Sequence, residues 1–152
     1  MRPRSLKPLE SDDQEMWFSW TRYVHIVAID PALVPSWLVD HAPHGDLLRH
    51  HCYAVPNGAK RTPWEAREML RTGLTPGVPD VCVDVPSGGS HGLRIEVKRR
   101  GNNRPTEEQM EQIALRKRMG YAACVAEGFD EARSITLQYL RPSWRVIDRW
   151  VG

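Results

Sequence analysis

The stretch GVPDVCVDVPSGGSHGLRIEVK, residues 77–98, determines how the rest of the chain is interpreted. It contains two short runs of alternating apolar residues, which are joined by a turn rich in Gly and Ser. Runs of this kind are typical of β-strands, and the glycines predict a hairpin that folds about Gly88 and Gly89. Because side chains alternate along a strand, each run divides into an apolar set and a polar set.

The alternation places charged groups together on one face of the hairpin. The polar set consists of Asp80, Cys82 and Asp84 in the first strand and Arg94, Glu96 and Lys98 in the second. We therefore expect Asp80 to lie across from the Glu96–Lys98 end, provided that no bulge shifts the register.

Two acids and a lysine in this arrangement have a recognisable chemistry. Neighbouring carboxylates repel each other unless a cation joins them, and their oxygen ligands suit Mg²⁺ or Mn²⁺. A metal held in this way polarises a phosphoryl oxygen and lowers the pKa of a bound water. Lys98 could orient the attacking water or neutralise charge on the scissile phosphate. The pattern fits metal-assisted phosphodiester hydrolysis, and the alternative is a surface hairpin with incidental charges.

The flanking sequence predicts helices around these strands. Capping boxes are predicted at Ser11 with Gln14, Thr62 with Glu65, and Thr106 with Gln109. Apolar spacing predicts a first helix over residues 11–29, and residues 121–127 are predicted as a buried strand. Residues 129–140 start as a helix and could end as a strand. This order predicts an α/β fold with a small mixed central sheet flanked by helices.

The composition restricts the class of protein. A chain of 152 residues predicts a single domain, and 41% hydrophobic residues without a long apolar run argue against a membrane span. The basic N-terminal segment lacks an apolar core, so no secretory signal is expected. Three cysteines without a CxxC pair argue against a disulfide framework and favour a cytoplasmic location.

The net charge of +2 is small, but the positive charges are clustered. Residues 98–104 hold four basic side chains, and residues 116–118 hold three more. Such clusters are expected on a surface that binds phosphates, although solvated basic segments are an equal alternative.

The hairpin, taken with its flanks, resembles the VRR-NUC (virus-type replication-repair nuclease) family of the PD-(D/E)xK superfamily. PNGAKR, LRTGLTPGVPD, EVKRRGNNRPTEEQ and GYAACVAEGFDEA all resemble elements of that family. The similarity covers about residues 52–140 and implies a restriction-endonuclease-like core of the stand-alone type. We expect one nuclease domain over residues 1–152, with an N-terminal helical part at 1–51 and a basic, aromatic tail at 141–152.

The resemblance implies roles for particular residues. Asp80 and Glu96 match the metal-binding acids, Lys98 matches the catalytic lysine, and the backbone carbonyl of Val97 is implied as a further metal ligand. Gln109 matches a polar residue near the site, although a capping role would compete. Glu15 matches the acid of the family's first helix, with a possible part in metal binding, and Glu10, Asp12 and Asp13 are alternatives. The residues expected to contact nucleic acid are Arg99, Arg100, Arg104, Asn57, Lys60 and Arg61.

The resemblance implies a DNA endonuclease that depends on Mg²⁺ or Mn²⁺ and acts on branched DNA, either a Holliday junction or a flap. It also implies a homodimer, while the lack of a long apolar run argues against membrane association. The first alternative is a restriction-type or nicking nuclease on duplex DNA. The second is a non-catalytic nucleic-acid-binding module on the same fold.

Two other features attract attention. His41, His44, His50 and His51 lie near Cys52, but their spacing matches no familiar zinc pattern, so surface or partly packed histidines are favoured. Trp37, Trp64, Trp144 and Trp150 could stack on bases, but core or interface roles are favoured.

Overall fold

The computed structural model describes residues 10–29, 45–56, 61–101 and 104–152. The helices in these ranges are α1 (Glu10–Thr21), α2 (Pro63–Arg71), α3 (Glu107–Arg118) and α4 (Gly128–Leu140). The strands are β1 (Val24–Ala28), β2 (Asp46–Leu47), β3 (Cys52–Ala54), β4 (Val81–Val83), β5 (Leu93–Lys98), β6 (Ala122–Glu127) and β7 (Trp144–Asp148). None of the helices in these ranges combines the length and the apolar character that a membrane crossing needs.

The larger sheet has the strand order β3–β4–β5–β6. The first three strands are antiparallel, whereas β5 and β6 run parallel. Parallel neighbours need a crossover connection, which α3 supplies. The α/β fold with a mixed central sheet and flanking helices is confirmed.

The turn of the hairpin also folds as expected. Gly88 and Gly89 have φ values of 57° and 84°, and Ser87 and Ser90 form a bridge across them. A positive φ at both central residues is the geometry of a type I′ turn, whose twist matches that of the strands. The two glycines are therefore required by the backbone.

The two arms of the hairpin differ in length by one residue. Between the turn and the last ladder pair, Val83 with Leu93, one arm has residues 84–86 and the other has only residues 91 and 92. The extra residue is a bulge in the first arm, in a segment that ends with Pro86, a residue type tolerated at bulges.

This bulge determines which face carries Asp80. Unbroken pairing from the turn would set Asp80 opposite Val97, on the face away from Glu96. The observed ladder pairs Val81 with Ile95, and its continuation sets Asp80 opposite Glu96. The predicted juxtaposition is therefore present, although it depends on a bulge that the sequence pattern did not reveal.

A second sheet with the order β2–β1–β7 was not predicted. The helix expected over residues 11–29 ends at Thr21, and the expectation is wrong for the following residues, which form β1. Residues 144–148, expected as part of a tail, form β7 and pair antiparallel with β1. Residues 129–140 are helical throughout, so their expected strand ending is also wrong.

The β-branched residues of β1 explain why the helix does not continue. Val24, Ile26 and Val27 favour an extended backbone, and the first two of them are buried. Their backbone groups bond to β7, more than a hundred residues away in the chain. A pairing of this range overrides the helical apolar spacing.

Helices α1 and α4 pack against each other and against β5. Trp17 and Trp20 of α1 are fully buried. The Trp17 indole donates to Thr136 Oγ1 of α4 at 3.2 Å, and the Trp20 indole donates to Asp148 Oδ2 of β7 at 3.0 Å. Each buried ring therefore has a partner for its polar atom, as a core tryptophan needs.

Helix α3 packs on β5 and β6. The predicted capping boxes of α2, at Thr62 with Glu65, and of α3, at Thr106 with Gln109, are both present. The predicted cap at Ser11 is wrong, because α1 already begins at Glu10.

Candidate active site

Asp80, Glu96 and Lys98 lie together at the open end of the hairpin. Lys98 Nζ lies 3.1 Å from Glu96 Oε1, and Asp80 Oδ2 accepts a hydrogen bond from the Val97 backbone N–H at 3.1 Å. Glu96 is 2% exposed and Lys98 is 9% exposed. The charged face is thus buried rather than solvated, which argues against a surface hairpin with incidental charges.

Burial and mutual repulsion change the acidity of the two carboxyl groups. Burial, followed by the negative charge of Asp80, raises the pKa of Glu96 to about 7. Burial also raises the pKa of Asp80, while the Val97 N–H and Lys98 oppose the shift. One lysine therefore does not compensate the two acids, and a bound cation would supply the missing positive charge.

Glu96 keeps one oxygen free for a ligand. Its Oε1 contacts Lys98, whereas its Oε2 is buried and accepts no hydrogen bond from the described residues. A buried carboxylate oxygen without a partner is costly unless an ion or water completes it. Within the described ranges, no group of three or more His, Cys, Asp or Glu side chains is arranged to hold a metal. A metal here would therefore rely on two carboxylates and other oxygen donors.

The carbonyl of Val97 is suited to be such a donor. The N–H and C=O of one strand residue point to the same side, and the Val97 N–H points toward Asp80. The continued register sets Pro79 opposite Val97, and proline has no N–H to bond that carbonyl. The donor set of Asp80, Glu96 and the Val97 carbonyl consists of oxygen atoms, which fits Mg²⁺ or Mn²⁺.

Gln109 performs two functions that the sequence suggested would compete. Its Oε1 accepts from the Thr106 N–H at 2.8 Å, which completes the capping box. Its Nε2 donates to Glu96 Oε1. Because the amide oxygen serves the cap and the amide nitrogen serves the acid, one side chain both starts α3 and orients Glu96.

Gly77 allows the hairpin to approach the start of α3. Its φ is +79°, and an added Cβ would lie 2.6 Å from the backbone carbonyl of Glu108. No other residue type fits both the backbone conformation and the space. The GVPD segment therefore packs directly against the turn of α3 that carries Gln109.

Among the acids of α1, Glu10 rather than Glu15 acts electrostatically on the pair. The negative charge of Glu10 contributes to the raised pKa of both Asp80 and Glu96, and its Oε1 accepts from the Arg99 N–H at 3.3 Å. Glu15 is exposed and lines a cleft of about 460 Å³ beside β3. The geometry thus favours the alternative acid, which lies five residues earlier.

The basic residues expected to contact nucleic acid have different surroundings. Arg100 forms an ion pair with Asp130 at 2.6 Å, and Arg61 donates to the carbonyl of Pro56. Arg104 is exposed, and the Nε of Arg99 is buried without a described partner. Asn57 and Lys60 lie outside the described residues.

Arg94 is a buried residue whose position the sequence analysis did not interpret. Its Nη2 lies 2.9 Å from Asp84 Oδ1, its Nη1 donates to the Val83 carbonyl at 3.3 Å, and its guanidinium stacks over Tyr121 at 4.5 Å. The alternation of charged residues in LRIEVK was the sequence signal for its place on the polar face of the hairpin. Arg94 fixes Asp84 on the polar face, away from the Asp80–Glu96 pair.

The histidine and cysteine residues behave as partly packed groups. His51 Nε2 lies 2.7 Å from Asp46 Oδ2, and the buried Cys52 thiol donates to the Leu48 carbonyl at 3.2 Å. His41 and His44 lie outside the described residues.

The tryptophans divide into two groups. Trp144 is buried and donates to the Pro86 carbonyl at 2.8 Å, and Trp150 packs on Tyr23 and Phe129. Trp64 is 71% exposed, and Trp37 lies outside the described residues.

Comparison with known proteins identifies the family. No protein-family model and no curated protein matches the chain. A solved structure described as "VRR_NUC domain protein" is similar, with a TM-score of 0.66 and 30% sequence identity over 90% of this chain and 93% of its own. This likeness extends over nearly the whole of both chains and agrees with the motif in residues 77–98. The chain therefore belongs to the VRR-NUC family, the virus-type replication-repair nucleases.

Proposed function

We propose that the protein is a divalent-metal-dependent endonuclease that hydrolyses DNA phosphodiester bonds. The observation that carries the proposal is the Asp80–Glu96 pair beside Lys98, in which Glu96 is buried, Asp80 is partly buried, and one Glu96 oxygen has no hydrogen bond from the described residues. Two neighbouring acids in a largely buried site that one lysine cannot neutralise are destabilising by themselves. A bound cation would offset the repulsion between the two carboxylates and would take part in phosphodiester hydrolysis.

Asp80, Glu96 and the Val97 carbonyl would hold Mg²⁺ or Mn²⁺, with Glu10 of α1 close enough to add negative charge. When bound, the metal polarises the phosphoryl group and makes a coordinated water more acidic. The Val97 N–H orients Asp80, and Gln109 orients Glu96, so both carboxylates are fixed before the ion arrives.

Lys98 supplies the positive charge of the site. Its ammonium group lies 3.1 Å from Glu96 Oε1 and is mostly buried, so its charge is weakly screened. From this position it can hold a water for attack or stabilise negative charge on the phosphate in the transition state. The carboxylates bind the cation, and the lysine assists the phosphate.

We propose branched DNA, a Holliday junction or a flap, as the substrate and a homodimer as the active form, as the family resemblance implies. Exposed apolar side chains, among them Trp64 and Leu70 of α2, provide area that a second copy could cover. We also propose that the chain forms a single nuclease domain and acts in the cytoplasm. The second proposal is supported by the three free cysteines, which suit a reducing compartment.

A cleavage panel tests the proposal. Linear duplex, flap and four-way junction DNA of matched sequence are incubated with the protein in Mg²⁺, in Mn²⁺ and in EDTA. We expect cleavage in Mg²⁺ and in Mn²⁺ but not in EDTA. The flap and the four-way junction should be cut faster than the linear duplex. The solution mass of the protein tests the dimer separately.

An Asp80→Ala, Glu96→Ala double variant is the control. If the wild type and this variant are equally inert on every DNA, the enzyme proposal fails. If the wild type cuts linear duplex best, the proposal of a branched substrate fails, but the proposal of nuclease activity stands.

A further inference from the structure

A cleft of about 460 Å³ lies between α1 and the edge strand β3. Its volume is within the range of about 300 to 1,000 Å³ that is typical of ligand sites. This α1–β3 cleft is lined by residues of the helix, of the turn before the strand and of the strand, among them Ser11, Gln14, Glu15, Arg49, Tyr53 and Ala54. The cleft is therefore large enough to receive part of a DNA strand.

Arg49 is the basic residue among those that line the cleft. Its guanidinium lies over the Phe18 ring, 5.0 Å from the ring centroid, and its Nη1 donates to the Cys52 carbonyl at 2.9 Å. No ion pair in the described part of the chain includes Arg49, whereas Arg94 and Arg133 each contact an acid. Because a guanidinium has several N–H donors, this one is held in a fixed orientation and keeps donors for a ligand.

The cleft adjoins the proposed active site through the backbone of β3. Ala54 lines the cleft and pairs with Val81 of β4. The residue after Ala54 in the chain, Val55, donates its N–H to the Asp80 carbonyl at 2.8 Å. The carbonyl that holds the guanidinium belongs to Cys52, three residues before Val55, which is about 10 Å along a strand. A short run of nucleotides, at about 3.4 Å each along one strand of B-DNA, spans that distance.

The other polar groups of the cleft come from α1. Ser11 and Gln14 are three residues apart on one side of the helix, and they can donate hydrogen bonds through a hydroxyl and an amide. Glu15 is the acid of the cleft, but it is exposed, so salt screens its charge more than that of the half-buried Arg49. Together, the donors of Ser11, Gln14 and Arg49 suit an anion with several oxygen atoms.

We propose that the α1–β3 cleft binds a backbone phosphate of the substrate DNA, a few nucleotides from the scissile phosphate, and that Arg49 is its principal ligand. The planar guanidinium matches two phosphate oxygens at once, and such charge-assisted bonds are stronger than neutral ones. A second phosphate held in this way would fix the register of the strand at Asp80 and Glu96. The inference rests on the proposed nuclease function and assigns a residue that positions its substrate.

Binding measured without catalysis tests the role of Arg49. Fluorescence anisotropy in EDTA gives the Kd of labelled flap DNA as a function of salt for the wild type, Arg49→Gln and Arg145→Gln. Arg145 is an exposed residue of β7, in the second sheet, so this control removes the same charge elsewhere. We expect Arg49→Gln to weaken binding several-fold and to lower the salt slope by about one, and Arg145→Gln to do neither. Equal effects of the two variants would overturn the assignment.

Two further variants separate the charge of the cleft from its packing. Arg49→Lys keeps the positive charge but loses the planar group that contacts Phe18 and Cys52, so its salt slope should equal that of the wild type. Glu15→Gln removes the negative charge of the cleft and should tighten binding. A Lys variant with the salt slope of Arg49→Gln, or a Glu15→Gln variant that binds more weakly than the wild type, would contradict a phosphate site.

Neutral linkages in the DNA locate the phosphate itself. Single methylphosphonates, in which a methyl group replaces one charged oxygen, are placed in turn at each linkage on either side of the branch point. One linkage should weaken wild-type binding several-fold and leave Arg49→Gln unchanged, because the variant has already lost that contact. The inference fails if no linkage distinguishes the wild type from Arg49→Gln. Because binding is measured in EDTA, its outcome is independent of the presence or absence of cleavage, which tests the nuclease proposal.

Discussion

Replacing Glu96 by Gln should stabilise the metal-free protein at neutral pH. Burial and the charge of Asp80 raise the pKa of Glu96 from 4.5 to about 7. A carboxyl group with a raised pKa binds more protons in the folded state, so wild-type stability falls as the pH rises from about 4.5 to about 7. At 1.36 kcal/mol per pKa unit the loss is about 3 kcal/mol. The amide of Glu96→Gln carries no charge and avoids this loss.

The assay is the free energy of urea unfolding in EDTA, measured from pH 5 to pH 8. We expect Glu96→Gln to gain about 2 to 3 kcal/mol over the wild type as the pH rises through this range. Glu111→Gln, a matched change at an exposed position of α3, should follow the wild type within about 0.5 kcal/mol. Added Mg²⁺ at ten times its Kd should stabilise only the wild type, by about 1.4 kcal/mol. A pH-independent difference between wild type and Glu96→Gln would refute the reasoning.

Two further pairs of variants separate the site from the scaffold. Gln109→Ala and Thr106→Ala both break the capping box and should each cost about 1 kcal/mol in urea unfolding. Only Gln109→Ala should also slow cleavage, because it removes the donor to Glu96, and equal rates for the two variants would exclude that role. Gly77→Ala and Gly73→Ala both place a side chain at positive φ, but only the first meets backbone atoms within 3 Å. Gly77→Ala should therefore lose at least about 2 kcal/mol more than Gly73→Ala, and equal losses would contradict the close packing on α3.

The parts of the fold that depend on local sequence were predictable. The glycine pair fixes a type I′ turn, and Thr106 with Gln109 fixes the start of α3, because both effects act within four residues. The alternation in residues 93–98 correctly assigned Glu96 and Lys98 to one face. These signals were enough to place Glu96 and Lys98 together, whereas the position of Asp80 opposite Glu96 also requires the bulge.

The parts that depend on distant contacts were not predictable. The pairing of β1 with β7 joins segments at opposite ends of the described chain, and the apolar spacing of β1 does not distinguish strand from helix. The choice between Glu10 and Glu15 depends on how α1 lies against β5, which no local pattern contains. The bulge in residues 84–86 is visible only when both arms of the hairpin are paired.

That bulge also shows how narrowly the site is defined. If the same residues paired without the bulge, Asp80 would lie opposite Val97 on the face away from Glu96, although the hydrophobic pattern of the sequence is the same. The turn therefore sets where the two strands end, and the bulge sets which face of the first strand carries Asp80.

The most direct test of the central claim is the single-turnover cleavage rate of flap DNA by the wild type and by Glu96→Gln, in Mn²⁺ and in EDTA. Because the variant is expected to be at least as stable as the wild type, a lost rate cannot be attributed to unfolding. We predict metal-dependent cleavage by the wild type and a rate lower by more than about a thousandfold for the variant. Cleavage that persists in EDTA, or a variant as active as the wild type in Mn²⁺, would contradict the account.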